Sequence, residues 1–404
     1  MKVVVVGAGP GGLMVAERLA SAGHRVSVFE GRKSPARKLV LAGRGGLNIT
    51  HSDPIDEFLE AYGPERARLE PMIRSFGPDD LRAWCATLGQ ETFVGTSGRV
   101  FPESFRAVPL LRAWLRRLDD LGVAFELGHT WLGWDERDDR RALRFVADGG
   151  IERSVDFDVC VLALGGASWP GVGSDGSWVD ILTARGVDVH ALEAANCGVA
   201  FQWSDVMRDR FGGTPVKNAA VTVEGLAVRG DPIVSTRGLE GGPIYAHARR
   251  LREQIADRGE AELVIDLMPD LDIGDLVRRL VERRKKKRST STWLSRCGVS
   301  SVGVALMREV TGNTLPSDPD ELGELAKAIT LPIVEMASID RAISSAGGVS
   351  WDAVDENLQL LAAPGTHVVG EMLDWEAPTG GYLLQAVFST AHHVGSVVGA
   401  STAG

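Results

Sequence analysis

Cysteine is scarce in this 404-residue chain: Cys85, Cys160, Cys197 and Cys297 are scattered, with no C-x-x-C pair and no zinc-like spacing. Neither a disulfide framework nor a zinc site is expected, and a reducing, cytoplasmic setting fits that usage. Long apolar runs are missing too. The N-terminal apolar stretch is only residues 3–6 before glycines begin, too short for a signal peptide, and no run reaches the length of a membrane span. Basic charge is in deficit: the formal net charge of −10 argues against broad nucleic-acid binding. The eight histidines form no metal constellation; His392 and His393 are neighbours, and helical neighbours point about 100° apart, so they cannot share an ion.

What is present describes an ordinary globular protein, 44% hydrophobic and 24% charged, of a length that suggests two or three domains. The sharpest signal is Gly7-Ala8-Gly9-Pro10-Gly11-Gly12, which follows the strand-like run 3–6 and opens a helix-like stretch over 13–22. A second strand-like run, 25–30, ends at Glu30, 18 residues after Gly12. This is the dinucleotide-binding βαβ pattern. Gly7 permits the tight turn, Gly9 lets backbone approach a pyrophosphate, Gly12 lets helix pack on sheet, and Glu30 stands where an acid bonds a ribose 2′-OH. The helix N-terminus adds free amides and a positive dipole end. FAD and NAD share the ADP half, so this motif alone leaves both open.

Residues 41–51, Leu-Ala-Gly-Arg-Gly-Gly-Leu-Asn-Ile-Thr-His, gather Arg44, Gly45, Gly46, Asn48 and His51 in one short loop, a second candidate cofactor contact. Helical spacing is expected over 56–88 and over 105–121, the latter with Val108, Leu111, Leu115 and Leu118 on one side. Short strands at 123–125, 130–134 and 143–146, split by the turns 135–139 and 148–150, predict a β-meander. Residues 157–164 read as a buried parallel strand entering Gly165 and Gly166. The string Gly171 to Gly176 also satisfies GxGxxG but lacks a preceding strand, so only one fingerprint remains. From about residue 196 short alternating segments predict a β-rich insert containing Glu240 and Tyr245, and helical periodicity follows over 272–329. The basic run 283–288 reads mainly as a solvated helix end, with an RNA contact as the minority reading.

The C-terminal segment decides the cofactor. A strand over 367–369 runs into Gly370, Glu371 and Asp374, and Thr379, Gly380, Gly381 and Tyr382 then open a helix. An acid beside a glycine-headed helix suits the ribityl chain and pyrimidine edge of FAD, with the helix dipole stabilising negative charge on the reduced flavin.

With those motifs in order, the chain resembles the YhiN/BaiN-like flavoprotein family, also called the aminoacetone oxidase family, over nearly its whole length. The matching stretches are residues 7–12, 43–51, 163–176, 343–349 and 370–385. The resemblance implies an α/β fold: a discontinuous glutathione-reductase-type Rossmann FAD domain (1–194 and 340–404), an inserted β-barrel-like domain (195–271 and 330–339) and a helical subdomain (272–329). It implies that Gly165 and Gly166 flank FAD and that residues 370–374 close over it. Residues 44–48 stand where relatives often have Arg-Cys-Asn, and 239–241 where many have a Ser-Gly pair, which marks a subgroup. The expected activity is FAD-dependent hydride transfer with a small organic substrate held between the FAD domain and the insert, either amine oxidation or NAD(P)H-linked C=C reduction. A non-catalytic flavin-binding or RNA-associated protein is the alternative. NAD(P)H would bind only transiently, since there is no second fingerprint. His51 and Glu240 are the proton-transfer candidates.

Overall fold

The computed structural model describes residues 1–136, 141–284 and 288–400. The centre of the basic run, residues 285–287, and residues 137–139 of the predicted acidic turn lie outside them. Two compact units form, Met1–Glu193 with Ser344–Gly404, and Ala194–Ile343.

The first unit is built on five parallel strands: β1 (Lys2–Val6), β2 (Arg25–Glu30), β3 (Ala124–Leu127), β4 (Val159–Leu162) and β5 (Thr366–Val368), in the order β5-β4-β1-β2-β3. Val3, Val4 and Val5 are fully buried, as expected of a β-branched strand covered on both faces. Strand order reverses between β1 and β4, so a ligand crevice opens at the carboxyl ends of these strands. Helix α1 (Pro10–Ser21) starts with proline at its first position, where the missing N–H costs nothing. Helix α2 (Tyr382–Ala400) packs against it, with Gly395 over Arg18 and Gly399 over Ala22. The C-terminal segment thus supplies both an outer strand of the sheet and a helix packed on α1.

The segment predicted at 123–125 is not part of the meander. It becomes β3, pairing Ser27 with Ala124 after the crossover helix Ala107–Asp120, while the meander is Trp-bearing His129–Trp134 with Ala142–Ala147 and Glu152–Asp156. The buried stripe of that crossover helix is also rotated from the predicted one. Leu110, Leu111, Trp114 and Leu118 are buried while Val108 is exposed, because the large Trp114 ring takes the core position.

The second unit holds two four-stranded antiparallel sheets. One orders Leu226–Gly230, Ala219–Val223, Ala261–Asp266 and Ile329–Ile333; the other orders Val199–Ala200, Gly238–Glu240, Ile233–Ser235 and Thr214–Pro215. They meet where Val199 bridges Met336 and the Ala200 amide donates to the Glu335 carbonyl. Its helices include Ile273–Arg283, Ser301–Val310 and Pro319–Lys327, with side-chain caps from Asp272, Ser300 and Asp318. A further helix, Thr290–Cys297, lies where no separate helix is predicted. Its Ser/Thr-rich start has weak propensity, and the Ser289 cap with burial of Trp293 and Leu294 compensates.

A Cβ at Gly12 would lie 2.0 Å from the Gly7 carbonyl oxygen. Gly12→Ala is therefore expected to cost about 1–3 kcal/mol by overpacking, measured as a lowered thermal midpoint of the apoprotein.

Candidate functional site

The carboxyl ends of β1, β2, β4 and β5 gather most of the predicted cofactor residues in the first unit. At Gly7, φ is +102° and a Cβ would fall 2.4 Å from the Ala163 carbonyl oxygen, so β1 can turn against β4 only without a side chain. Gly9 caps α1 in extended conformation, and a Cβ there would meet nothing within 4 Å. Gly12 is needed by the fold, whereas Gly9 leaves room beside the helix amides. Pro10 and Gly11 form the first turn, and a Cβ on Gly11 would come to 3.4 Å from Val387 and 3.5 Å from Val369. Glu30 is held in place by two backbone donors, the Ala8 amide to Oε2 and the Arg32 amide to Oε1, both at 2.9 Å.

Arg44 and Gly45 are exposed in a 3₁₀ turn, Gly43–Gly45, and Gly46 follows at φ +117°. Asn48 Oδ1 and buried Thr50 Oγ1 have no hydrogen-bond partner. A Cβ at Gly381 would lie 2.3 Å from the Thr50 carbonyl carbon, and Gly380 and Gly381 both have positive φ. The glycine pair therefore brings the head of α2 directly against the strand Thr50–His51. Unpartnered polar atoms in this loop, free first-turn amides on both helices and the open space at Gly9 and Gly45 fit a dinucleotide with a polar ring edge, as FAD has.

Gly165 and Gly166 lie over a compact ionic network. Lys38 Nζ donates to Ser168 Oγ at 2.6 Å and to Glu371 Oε2 at 3.0 Å; the Ser345 amide donates to Glu371 Oε1 at 2.9 Å, and the Ala167 amide to Ser345 Oγ at 2.8 Å. A Cβ at Gly166 would collide with Ser345 Oγ at 2.3 Å. Gly370, at φ +70°, donates its amide to Thr390 Oγ1. Asp374 Oδ2 is 2.7 Å from His190 Nδ1, and that carboxylate raises the His190 pKa, chiefly through the hydrogen bond and against a smaller burial effect. Lys38 and His190 escaped the sequence reading: neither sits in a periodic pattern, and only the fold brings them to their acids.

A second cluster surrounds His51. Its Nε2 donates to the Ser97 carbonyl at 2.9 Å, which fixes that nitrogen as protonated, and its ring stacks on Tyr382 at 5.3 Å. Nδ1 lies 2.9 Å from Asp53 Oδ1, within ion-pair range but without hydrogen-bond alignment. The Tyr382 hydroxyl donates to Asp53 Oδ2 at 2.6 Å. Burial, and then the Asp53 hydrogen bond and charge, push the Tyr382 phenol well above its ordinary pKa, so it stays protonated across the working range. Tyr62 donates to the Tyr382 carbonyl at 2.8 Å beneath it. Asp53 joins this cluster unpredicted; its one signal is position, two residues after His51. The other proton-transfer candidate, Glu240, lies in the second unit on the strand Gly238–Glu240, half-buried, with Gly198 packed on its side chain.

A model of the HI0933-like protein Rossmann domain matches residues 1–397. The chain is 21% identical to a 3-dehydro-bile acid delta(4,6)-reductase of Clostridium scindens, over 98% of each chain. It is 19% identical to a ribosomal RNA dihydrouridine synthase of Haemophilus influenzae, over 96% of each. Among solved structures, a flavocytochrome c3 fumarate reductase in its open conformation matches with a TM-score of 0.54 and 14% identity, over 100% of this chain and 78% of that one. A 3-ketosteroid delta1-dehydrogenase from Sterolibacterium denitrificans matches with a TM-score of 0.54 and 12% identity, over 99% of both. No helix among the described residues is long and apolar enough to cross a membrane.

Because the Gly9 Cβ position is empty, Gly9→Val should leave the apoprotein's melting unchanged while FAD affinity falls at least about tenfold, as equilibrium dialysis would show; Glu30→Ala should weaken it by about 1–2 kcal/mol through loss of a ribose acceptor. A pH series checks the His190 pair. His190 is raised, so its contribution is complete below the unfolded value near 6.5 and fades as pH rises through the folded value. The difference in thermal midpoint between wild type and His190→Gln should thus be largest near pH 6 and vanish in alkali.

Proposed function

The chain belongs to the HI0933-like family and is an FAD-dependent oxidoreductase, and on that premise we propose that it reduces a carbon–carbon double bond conjugated to a carbonyl in a small organic substrate. The observation that carries this reading is that two relatives matched over nearly their full length bear names describing hydrogen addition to such a bond: a delta(4,6) unsaturation conjugated to a 3-oxo group in one, the uracil C5=C6 bond conjugated to its C4 carbonyl in the other. When bound, FAD supplies a hydride at N5 of its ring.

The protein's own residues have three tasks. Gly9, Pro10, Gly11 and Gly12, with Glu30, hold the ADP half; Gly45, Gly46, Gly165, Gly166 and Arg44 line the remainder; Gly370, Glu371 and Asp374 close its ribityl side. The head of α2, from Gly380 through Tyr382, offers amides and a positive dipole end to the pyrimidine edge, favouring the charge that reduction adds there. Finally, hydride addition at the β-carbon leaves an enolate that needs a proton at the α-carbon. Tyr382, kept protonated beside Asp53 and stacked on His51, holds such a proton, and Asp53 with His51 gives a route for its replacement.

A second reading keeps this chemistry and changes the substrate to a uracil base in RNA. It is favoured by the dihydrouridine synthase relative and by exposed Arg283, Arg284 and Arg288.

The test is anaerobic. NADH or NADPH should bleach the oxidised flavin band and a conjugated enone should restore it, with a panel of amines leaving it unchanged. Bleaching by an amine, with no reoxidation by enone, would overturn the proposal. Tyr382→Phe and Asp53→Asn should slow the enone half-reaction by about 10²–10⁴-fold without slowing bleaching by NAD(P)H. An unchanged enone half-reaction in both variants would remove Tyr382 as the proton donor; reoxidation by a uridine oligonucleotide alone would favour RNA.

A further inference from the structure

Beside the His51 cluster the small sheet of Thr50–His51, Arg99–Pro102 and Thr92–Val94 turns one face outward. Register fixes which residues share it: Thr50 and Val100 pair inward and are buried, whereas His51 pairs with Arg99 and Phe93 with Phe101 on the opposite face. Phe105 completes an aromatic ladder there. Ring centroids are 5.8 Å apart for Phe93 and Phe101, 4.9 Å for Phe101 and Phe105, and 6.4 Å for Phe93 and Phe105.

Three features set this ladder apart from an ordinary surface. Phe93 is 40% and Phe105 44% exposed, an apolar ring surface of the kind that marks a binding surface. Phe105 is held at φ +59°, a conformation that costs a bulky residue energy and persists only where surroundings impose it. Those surroundings include the cofactor loop: the Leu47 amide donates to the Phe105 carbonyl, and a Cβ at Gly46 would lie 2.5 Å from the Phe105 ring. The apolar face is therefore continuous with the Arg44 to Gly46 turn on one side and with His51 on the other.

Its charge is divided along the ladder: Arg99 stands at the end that adjoins His51, and exposed Glu91 and Glu103 stand at the opposite end. Arg99 lies two residues from Phe101 on the same face, about 7 Å along the strand, and Arg106 and Arg44 flank Phe105 and Gly46; all three are exposed and make no ion pair among the described residues. We propose that this face is the substrate platform, and that the substrate is a flat, largely apolar molecule carrying a carboxylate: Phe93, Phe101 and Phe105 take its body and Arg99 its anion. An unpaired arginine at the edge of stacked rings complements that combination. The proposal rests on the enone-reduction reading and adds the substrate's chemical class.

The probes are 4-carboxybenzylideneacetone and its methyl ester, both planar conjugated enones. Binding to the oxidised holoprotein is followed by perturbation of the flavin spectrum and by calorimetry. Phe93→Ala should raise the dissociation constant of both probes roughly tenfold, the loss of a stacking contact with its buried area. Arg99→Gln should raise that of the acid roughly fivefold and leave the ester unchanged. Thermal midpoint and flavin content, measured on each variant, should stay at wild-type values. Equal affinities in wild type and both variants overturn the platform, as does failure of either probe to bind wild type at millimolar concentration. So does Phe93-dependent sedimentation with phosphatidylglycerol vesicles, or Phe93-dependent dimerisation, with unchanged probe affinity. Reoxidation of photoreduced flavin is scored separately. Enone turnover with an unaltered KM in both variants sinks the platform and keeps the reduction reading, whereas Phe93-dependent binding without reoxidation does the reverse.

Discussion

The site depends on a contact that contains no side chain: the backbone of Gly12 against the carbonyl of Gly7. A methyl group would sit 2.0 Å from that oxygen, so only glycine lets α1 descend onto β1. With α1 seated, the Ala8 amide reaches Glu30, the Gly7 amide donates to the Phe29 carbonyl at 2.7 Å, and the Ala36 amide returns to the Ala8 carbonyl at 2.8 Å. One close approach thus positions the glycine loop after β1, Glu30 at the end of β2 and the start of the segment that carries Lys38. The seat of α1 in turn gives α2 its floor, where Gly395 and Gly399 repeat the same device.

How legible this was in the sequence follows from the range of each interaction. The first βαβ unit is local, with every constraint inside thirty residues, and its pattern is a direct image of its backbone. The glycine-headed helix at Gly380 and Gly381 was visible for the same reason. The outer-face chemistry was less so. Asp53 matters through Tyr382, 329 positions away, and Lys38 through Glu371, 333 positions away; no periodicity encodes partners that distant. The displaced strand β3 shows the same limit, because its residues look equally suited to a meander edge or to the parallel sheet, and the crossover helix before it decides. Trp114 rotated that helix from its expected face because periodicity counts apolar positions while packing weighs ring volume.

On the proposed mechanism, the proton donor and the cofactor-facing helix head would both lie in the first unit. The aromatic pair of His51 and Tyr382 rests on the strand that Gly381 touches, so the group that keeps a proton and the helix that favours negative charge share one boundary. Tyr382 is raised by burial first and by Asp53 second, with Arg99 opposing both. A phenol so placed keeps its proton until an acceptor more basic than a carboxylate appears, which is what an enolate carbon would be. The same Asp53 that discourages ionisation also sits within 2.9 Å of the His51 ring, so the acid and its resupply are built into one carboxylate's surroundings.

In the proposed site a diphosphate would bring two negative charges into a crevice edged by Glu30, Glu371 and Asp374, in a chain whose formal net charge is −10. Unpaired, each acid would oppose the cofactor, and buried charge of one sign is costly. Each has its own partners: Glu30 two backbone amides, Glu371 Lys38 and an amide, Asp374 His190. The first arrangement leaves a carboxylate with lone pairs directed by the fold and free to accept a ribose hydroxyl. The second ties three chain segments together across Gly165 and Gly166, so its charge balance is also a mechanical brace. The third uses a titratable, half-exposed partner, and therefore makes the Asp374 side of the crevice responsive to pH. Anion tolerance here is achieved pair by pair rather than by a basic patch, which reconciles an acidic protein with a dianionic cofactor.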